Sequence, residues 1–455
     1  MNTIKFENYL KSSKFFNVLS LTIFVIVFFN FSTIAFAAPI SSKVPIARDN
    51  EVSEKIQIIE PSKISEPEPK PAPPIVPLET PHITPQIQNE LISKLETFQG
   101  ILGFELRDLA TNDVLIAYNS EKLFIPASNT KLLTALVALE SLGDNYKFQT
   151  QIYHTGEITN NFRGNLYIKG YGDPVLTSLQ YKELLKRATV DRGIETIYGD
   201  IIFDYSFMTE EGFGRGWMWD DPQPQIAAIN IWQTSYESFK YKTDYEIKDY
   251  ISFLTTLYLQ EIGVEFWGEI RYEEAPSDAN LLYTNYSPPL TDIIQQMLET
   301  SDNLIAEQLF RDLGAIYGNG EIEDSENYFK KVIEETLGYD TTDYVIKDGC
   351  GLSMYNLISP KMLADSLFYL YSKYQSKFFD YLASPYEDST LEKRFNFEIY
   401  AKTGTLYYDS AISGIFKSKS GKYYIFSLME NNFSFDVQKV KEFENSIINY
   451  LYENL

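Results

Sequence analysis

The chain of 455 residues contains one cysteine and two histidines. Cys350 alone excludes an intrachain disulfide and any multi-cysteine zinc or iron–sulfur site. His82 and His154 form no metal-binding cluster, and His82 stands in a proline-rich stretch, so a Ser-His-Asp triad has little to build on. Any hydrolytic chemistry therefore needs a base other than histidine, and neither a metal nor a cofactor is expected. Positive charge is scarce too. Asp and Glu number 63 against 39 Lys and Arg, for a net charge of −24 with no basic stripe, which excludes nucleic acid as a partner.

What is present is ordinary for a folded protein. Hydrophobic residues make up 44% of the chain, and its length corresponds to two or three cores. Lys5, Lys11 and Lys14 precede an uncharged run from Phe15 to Ala38, and Ala35-Phe36-Ala37 supplies small residues for cleavage. Residues 1–37 therefore read as a signal peptide or N-terminal anchor, with a membrane tether through residues 15–38 if the run is retained. The expected location is exported, periplasmic or at the cell surface. Residues 38–85 read as a linker; Pro61 to Pro85 holds nine prolines in 25 residues, a composition that favours extended polyproline II.

The folded part is expected from Gln86. Gly100–Ser120 reads as a hairpin with its turn at Ala110–Asp113, followed by a buried helix with Leu132, Ala135, Leu136 and Leu139 at helical spacing and Gly143 as its stop. From about 146 to 281 the chain becomes aromatic, glycine-punctuated and strand-like. Helical patterns return at Leu290–Leu298, Leu304–Leu313 and Lys361–Tyr374. IYAKTGTLYY and GKYYIFSLMEN read as strands, and a last helix carries Val440, Phe443, Ile447 and Leu451 on one face. The expected fold class is α+β: one domain, 86–145 plus 282–455, split by a strand-rich insertion at 146–281.

Three short motifs lie on these elements: Ser128-Asn129-Thr130-Lys131 (S-x-x-K), Ser301-Asp302-Asn303 (S-x-N) and Lys402-Thr403-Gly404 (K-T-G). At i and i+3 on a helix, Ser128 and Lys131 project from one face within hydrogen-bond reach. A serine is a poor nucleophile until a base takes its proton, and a lysine serves only when neutral. Burial and a second cation, Lys402, would both lower the pKa of Lys131. The arrangement is that of a histidine-free serine hydrolase.

The motif set is that of class A β-lactamases and penicillin-binding proteins. With 173 residues (301 − 128) between the first two motifs, the chain resembles the D-Ala-D-Ala carboxypeptidase/endopeptidase family, the class C low-molecular-mass penicillin-binding proteins. PASNTKL, GYGDP, GWMWDD, DGCGLSMYNLISP and AKTGTL strengthen the resemblance. It implies a penicillin-binding/serine β-lactamase-like transpeptidase domain, an antiparallel sheet flanked by helices. It implies a serine D,D-peptidase whose partners are peptidoglycan stem peptides and β-lactams. Ser128 would be the acylated nucleophile and Lys131 its base. Ser301, Asn303 and Lys402 would complete the catalytic set, with Ser301 passing a proton to the leaving D-alanine. Thr403 and Thr405 would bind the substrate carboxylate, with Gly404 in the same substrate-binding strand, and the N–H groups of Ser128 and Thr405 would form an oxyanion hole. Asp220 or Asp221 would grip an amine on the stem peptide. A β-lactamase or esterase of related fold, and a catalytically silent wall-binding scaffold, are the alternatives.

Three positions depart from the family pattern. Glu299 stands where a basic residue is usual, Cys350 where serine is usual, and Met354 where arginine is usual. Cys350 is expected as a small buried hydrophobe. Met354 lacks the guanidinium fork that would grasp a side-chain carboxylate, unless Arg215 or Arg394 supplies the charge from elsewhere.

Overall fold

The computed structural model describes residues 83–209, 214–221, 225–231, 247–386 and 389–455. The signal or anchor at 1–37 and the run at 15–38 lie outside the described residues. Among the described residues, no helix is long and apolar enough to cross a membrane.

Helix α1 (Pro85–Leu95) starts on Thr84, whose hydroxyl accepts from the Ile87 amide at 3.3 Å, and turns Leu91 and Leu95 inward. The described fold thus begins at Ile83, just ahead of the expected Gln86. Strands β1 (Ile101–Asp108) and β2 (Val114–Tyr118) form the expected hairpin, its turn held by the Asp108 carboxylate, which accepts from the amides of Ala110 and Thr111. After a single 3₁₀ turn (Ala127–Asn129) comes α2 (Thr130–Leu142), buried at every position from Thr130 to Leu139. Gly143, at φ 80°, ends it in a conformation that side chains resist.

The inserted region runs through β3 (Gln149–His154), β4 (Asn161–Phe162), β5 (Leu166–Gly170), α3 (Ser178–Ala188), β6 (Thr196–Ile197), β7 (Ile201–Asp204), α4 (Ile247–Glu261), β8 (Glu265–Phe266), β9 (Ile270–Tyr272) and β10 (Asn280–Tyr286). Its larger sheet has the order β10-β3-β5-β7-β9, with β5·β7 and β7·β9 parallel. The expectation of a strand-rich insertion thus needs extending, because α3 and α4 pack Tyr181, Leu185, Ile251 and Leu254 into the insertion's own core. Parallel pairs need crossovers, and these helices lie in them. The edges also move. Phe148 belongs to the catalytic core, and β10 carries the inserted sheet on to Tyr286, past the expected boundary at 281.

The chain then returns through α5 (Leu290–Thr300), α6 (Asn303–Tyr317), α7 (Ile322–Leu337), α8 (Pro360–Tyr374), β11 (Ile399–Thr405), β12 (Asp409–Lys417), β13 (Tyr423–Asn431) and α9 (Val437–Asn454). The split domain closes on an antiparallel sheet of order β11-β12-β13-β1-β2, with Phe104 opposite Leu428 where the two halves join. One face of the sheet packs on α2, α5, α6 and α8, and the other on α1 and α9. Both faces are therefore covered. Along β12, Ile412 and Phe416 enter one core while Ala411 and Ile415 enter the other. Burying each of these larger side chains is worth about 1.5–3 kcal/mol relative to exposure.

Candidate active site

Ser128 sits in the 3₁₀ turn, half-buried, immediately before α2. The preceding Ala127 has φ 48°, a left-handed conformation that alanine adopts only when its surroundings impose it. Those surroundings are close. A Cβ on Gly351 would lie 1.9 Å from the Ala127 carbonyl oxygen, and one on Gly404 would lie 3.0 Å from the Ser128 nitrogen. Loop 348–356 and strand β11 thus press on the nucleophile turn from two sides, where only glycine fits.

Lys131, the second residue of α2 and one turn beyond Ser128, is wholly buried. Its Nζ donates to Ser128 Oγ at 2.9 Å, Asn303 Oδ1 at 2.7 Å and the Cys350 carbonyl at 2.6 Å. Burial lowers the Lys131 pKa, partly opposed by Cys350 first and then by the charges of Asp348, Asp302 and Glu307. The second motif bridges two helices. Ser301 closes α5 with φ 61°, and Asp302 caps α6 by accepting from the Ile305 amide at 3.0 Å. This sharp reversal places the Ser301 hydroxyl and the Asn303 amide oxygen each against a lysine. Lys402 Nζ, also fully buried, donates to Ser301 Oγ and to the Thr403 carbonyl, both at 2.7 Å. Its pKa is held well below the lysine range by burial first and by the Lys131 charge second. Burial is the first cause of the lowering at Lys131, and the repulsion between the two lysines is mutual.

Gly404 and Thr405 end β11 beside the Ser128 turn, since a Gly404 Cβ would also meet the Pro126 carbonyl and Asn129 Nδ2. That turn is pinned further. Asn129 Nδ2 donates to the Ala411 carbonyl at 3.2 Å, and the Ile125 amide donates to Asn431 Oδ1 at 2.7 Å. Ser128, Lys131, Ser301, Asn303, Lys402 and the Thr403–Thr405 strand are therefore brought together.

Sequence reasoning quoted Asp348 within a motif without giving it a role. It is the hub of the loop behind Lys131. One carboxylate oxygen accepts from Gly351 N (2.9 Å) and Asn356 Nδ2 (2.6 Å), the other from Ser353 N and Trp217 Nε1, both at 2.7 Å. Glu307, Asp348 and Cys350 each bring one side-chain atom within 4.8 Å of the others. With both Asp348 oxygens occupied by N–H donors, the three form a hydrogen-bonded packing cluster. Burial raises the Cys350 thiol pKa well above its ordinary value, as befits an inert core side chain. Glu307 and Asn356 were not singled out, although an acid amid the apolar run Ile305, Ala306, Leu309 and Phe310 is a legible signal.

The insertion reaches this loop through 214–221. The Met354 amide donates to the Gly216 carbonyl at 3.0 Å, and Ser353 Oγ to the Arg215 carbonyl at 2.7 Å. Met354 is half-buried, Asp220 exposed and Asp221 half-buried, with the Asp221 pKa raised by burial and by the Asp220 charge. Arg215 pairs with Glu323 and Glu326, and Arg394 with Glu444.

A family model described as the D-Ala-D-Ala carboxypeptidase 3 (S13) family matches residues 89–238 and 242–453. The D-alanyl-D-alanine carboxypeptidase of Haemophilus influenzae is 25% identical, over 80% of this chain and 94% of the relative. The crystal structure of penicillin binding protein 4 from the same organism shares the fold at a TM-score of 0.70 and 24% identity, covering 80% of this chain and 99% of that one. A predatory endopeptidase of Bdellovibrio bacteriovorus, solved acylated by penicillin G, matches at a TM-score of 0.52 and 20% identity, over 77% of this chain and 93% of that one.

Proposed function

The chain belongs to the D-Ala-D-Ala carboxypeptidase 3 (S13) family, and from that membership we propose a serine D,D-peptidase that cuts peptidoglycan stem peptides through an acyl-enzyme on Ser128. The observation that carries the assignment of Ser128 is the geometry around Lys131. A neutral lysine has two N–H groups and one lone pair. With Asn303 Oδ1 and the Cys350 carbonyl taking the two N–H groups, the lone pair is left for the third neighbour, Ser128 Oγ, 2.9 Å away. The lone pair is then aimed at the serine proton, which is what a general base needs.

In this reading Ser128 Oγ attacks the D-Ala-D-Ala carbonyl while its proton passes to Lys131. The N–H groups of Ser128 and Thr405 stabilise the oxyanion, supported by the close approach of Gly404 to the Ser128 amide. Ser301, held by Lys402, delivers a proton to the leaving D-alanine amine, and water then releases the acyl group. β-Lactams acylate the same serine. Thr403 and Thr405 receive the substrate carboxylate, and Asp220 or Asp221 an amine on the stem peptide. Engagement of Arg215 and Arg394 with glutamates supports a site at Met354 without a cation for a side-chain carboxylate. Export through residues 1–37, with a tether at 15–38 if that run is retained, belongs to the same proposal because the substrate lies outside the cytoplasm.

The test is mass spectrometry after incubation with penicillin, alongside release of D-alanine from a peptide ending in D-Ala-D-Ala. One adduct on Ser128 together with release of D-alanine is expected. A silent scaffold would give neither.

A further inference from the structure

Glu307 projects from α6, one helical turn beyond Asn303, and is buried. Its Oε2 accepts from the Gly349 amide at 2.9 Å. Thr134 Oγ1, from α2, donates to the Gly349 carbonyl at 2.6 Å. The next carbonyl, that of Cys350, is the one that takes a proton of Lys131. Gly349 itself lies on α6, where a Cβ would stand 2.5 Å from the Phe310 Cβ and 2.7 Å from the Ala306 carbonyl. The loop that orients Lys131 is therefore fastened to α6 through Glu307.

We propose that Glu307 is a positioning residue for Lys131, holding the Cys350 carbonyl on the amine through the Gly349 amide. The inference rests on Lys131 being the base for Ser128. The charged and titratable groups facing Glu307 are Lys131 from α2, Asp348 and Cys350 from the loop, and Arg311 from its own helix. Burial and the Asp348 charge push the Glu307 pKa up to about 8, while the Gly349 amide and Arg311 oppose the rise. An anion at 307 raises the Lys131 pKa, against the lowering by burial.

The experiment measures the pH dependence of penicillin acylation for the natural protein, Glu307→Gln and Glu307→Ala. Glutamine keeps an acceptor for the Gly349 amide but removes the carboxyl charge. Its acid limb should move to lower pH by about half a unit to one unit, as a single ionisation. Glu307→Ala should show the same displacement and in addition a plateau lowered by about tenfold relative to glutamine, because the loop anchor is gone. Equal plateaus for Glu307→Ala and Glu307→Gln overturn the proposal, and should the alanine variant not fold, an acid limb unmoved in Glu307→Gln overturns it instead. Failure of the natural protein to acylate at all would instead overturn the assignment of Ser128 and Lys131.

Discussion

The Lys402 ammonium donates to Ser301 Oγ across 2.7 Å while lying, fully buried, close enough to Lys131 for their charges to repel. Two lysines inside one site are costly to ionise together. A lysine whose folded-state pKa is depressed binds fewer protons folded than unfolded between that value and 10.5, so stability rises with pH across that window and falls on acidification. Lys402→Met should therefore be inactive yet more stable than the natural protein, by about 1–3 kcal/mol, with a larger gain at pH 6 than at pH 9. Denaturant unfolding at the two pH values checks this, and a gain independent of pH would sink it.

Lys131→Ala removes the proton acceptor but keeps a good helix former. Acylation by penicillin should fall by about 10²–10⁴-fold with the fold retained. Stopped-flow acylation and circular dichroism provide the two readouts, and a normal rate would remove Lys131 from the mechanism.

Asp348→Ala strips the acceptor from the amides of Gly351 and Ser353 and from the side chains of Asn356 and Trp217. Each buried donor left unsatisfied costs about 1–3 kcal/mol, so a loss of 3 kcal/mol or more, roughly, is expected. Thermal unfolding measures it. Cys350→Ser, by contrast, should leave acylation at the natural rate, since the thiol is inert core.

The substrate prediction concerns Met354. Stem peptides with a side-chain amine but an amidated or missing carboxylate should have the higher kcat/KM, and Met354→Arg should improve turnover of free diaminopimelate peptides. Asp220→Asn combined with Asp221→Asn should lower kcat/KM for amine-bearing peptides by about tenfold, roughly 1.4 kcal/mol. A natural enzyme that prefers free diaminopimelate by that factor contradicts the reading.

Deleting residues 1–82 should yield an active, soluble protein. Extending the cut to residue 85 removes the Thr84 cap and Ile83, which packs against the α1 core, and should cost about 1 kcal/mol in a melt.

The motifs were legible in the sequence because each depends on local geometry: a helix turn for Ser128 and Lys131, a helix break at Ser301, a strand end at Lys402. So were the N-terminal hairpin, with its turn at Ala110–Asp113, and most helices of the catalytic domain. Strand β12 was not, because both of its faces are buried and alternation vanishes. The insertion's α3 was hidden by a polar, aromatic stretch whose apolar stripe is only Tyr181, Leu184, Leu185 and Ala188. The contact of 214–221 with the 348–356 loop joins segments more than a hundred residues apart and leaves no periodic trace. Gly349 and Gly351 were visible, but what they make room for was not.

The central sheet pairs Ile101 with Asn431, 330 positions later (431 − 101). Strand β1 has no neighbour but β2 until β13 exists, and the last pin on the nucleophile turn waits until Asn431 reaches Ile125. A nascent chain therefore carries Ser128 long before it can use it. Pairing over such separations is slow, because the loop must close before the contact gains anything. Catalytic competence arrives with the C-terminal strands, so neither substrate nor drug can be attacked during synthesis, and a chain still short of β13 remains unassembled.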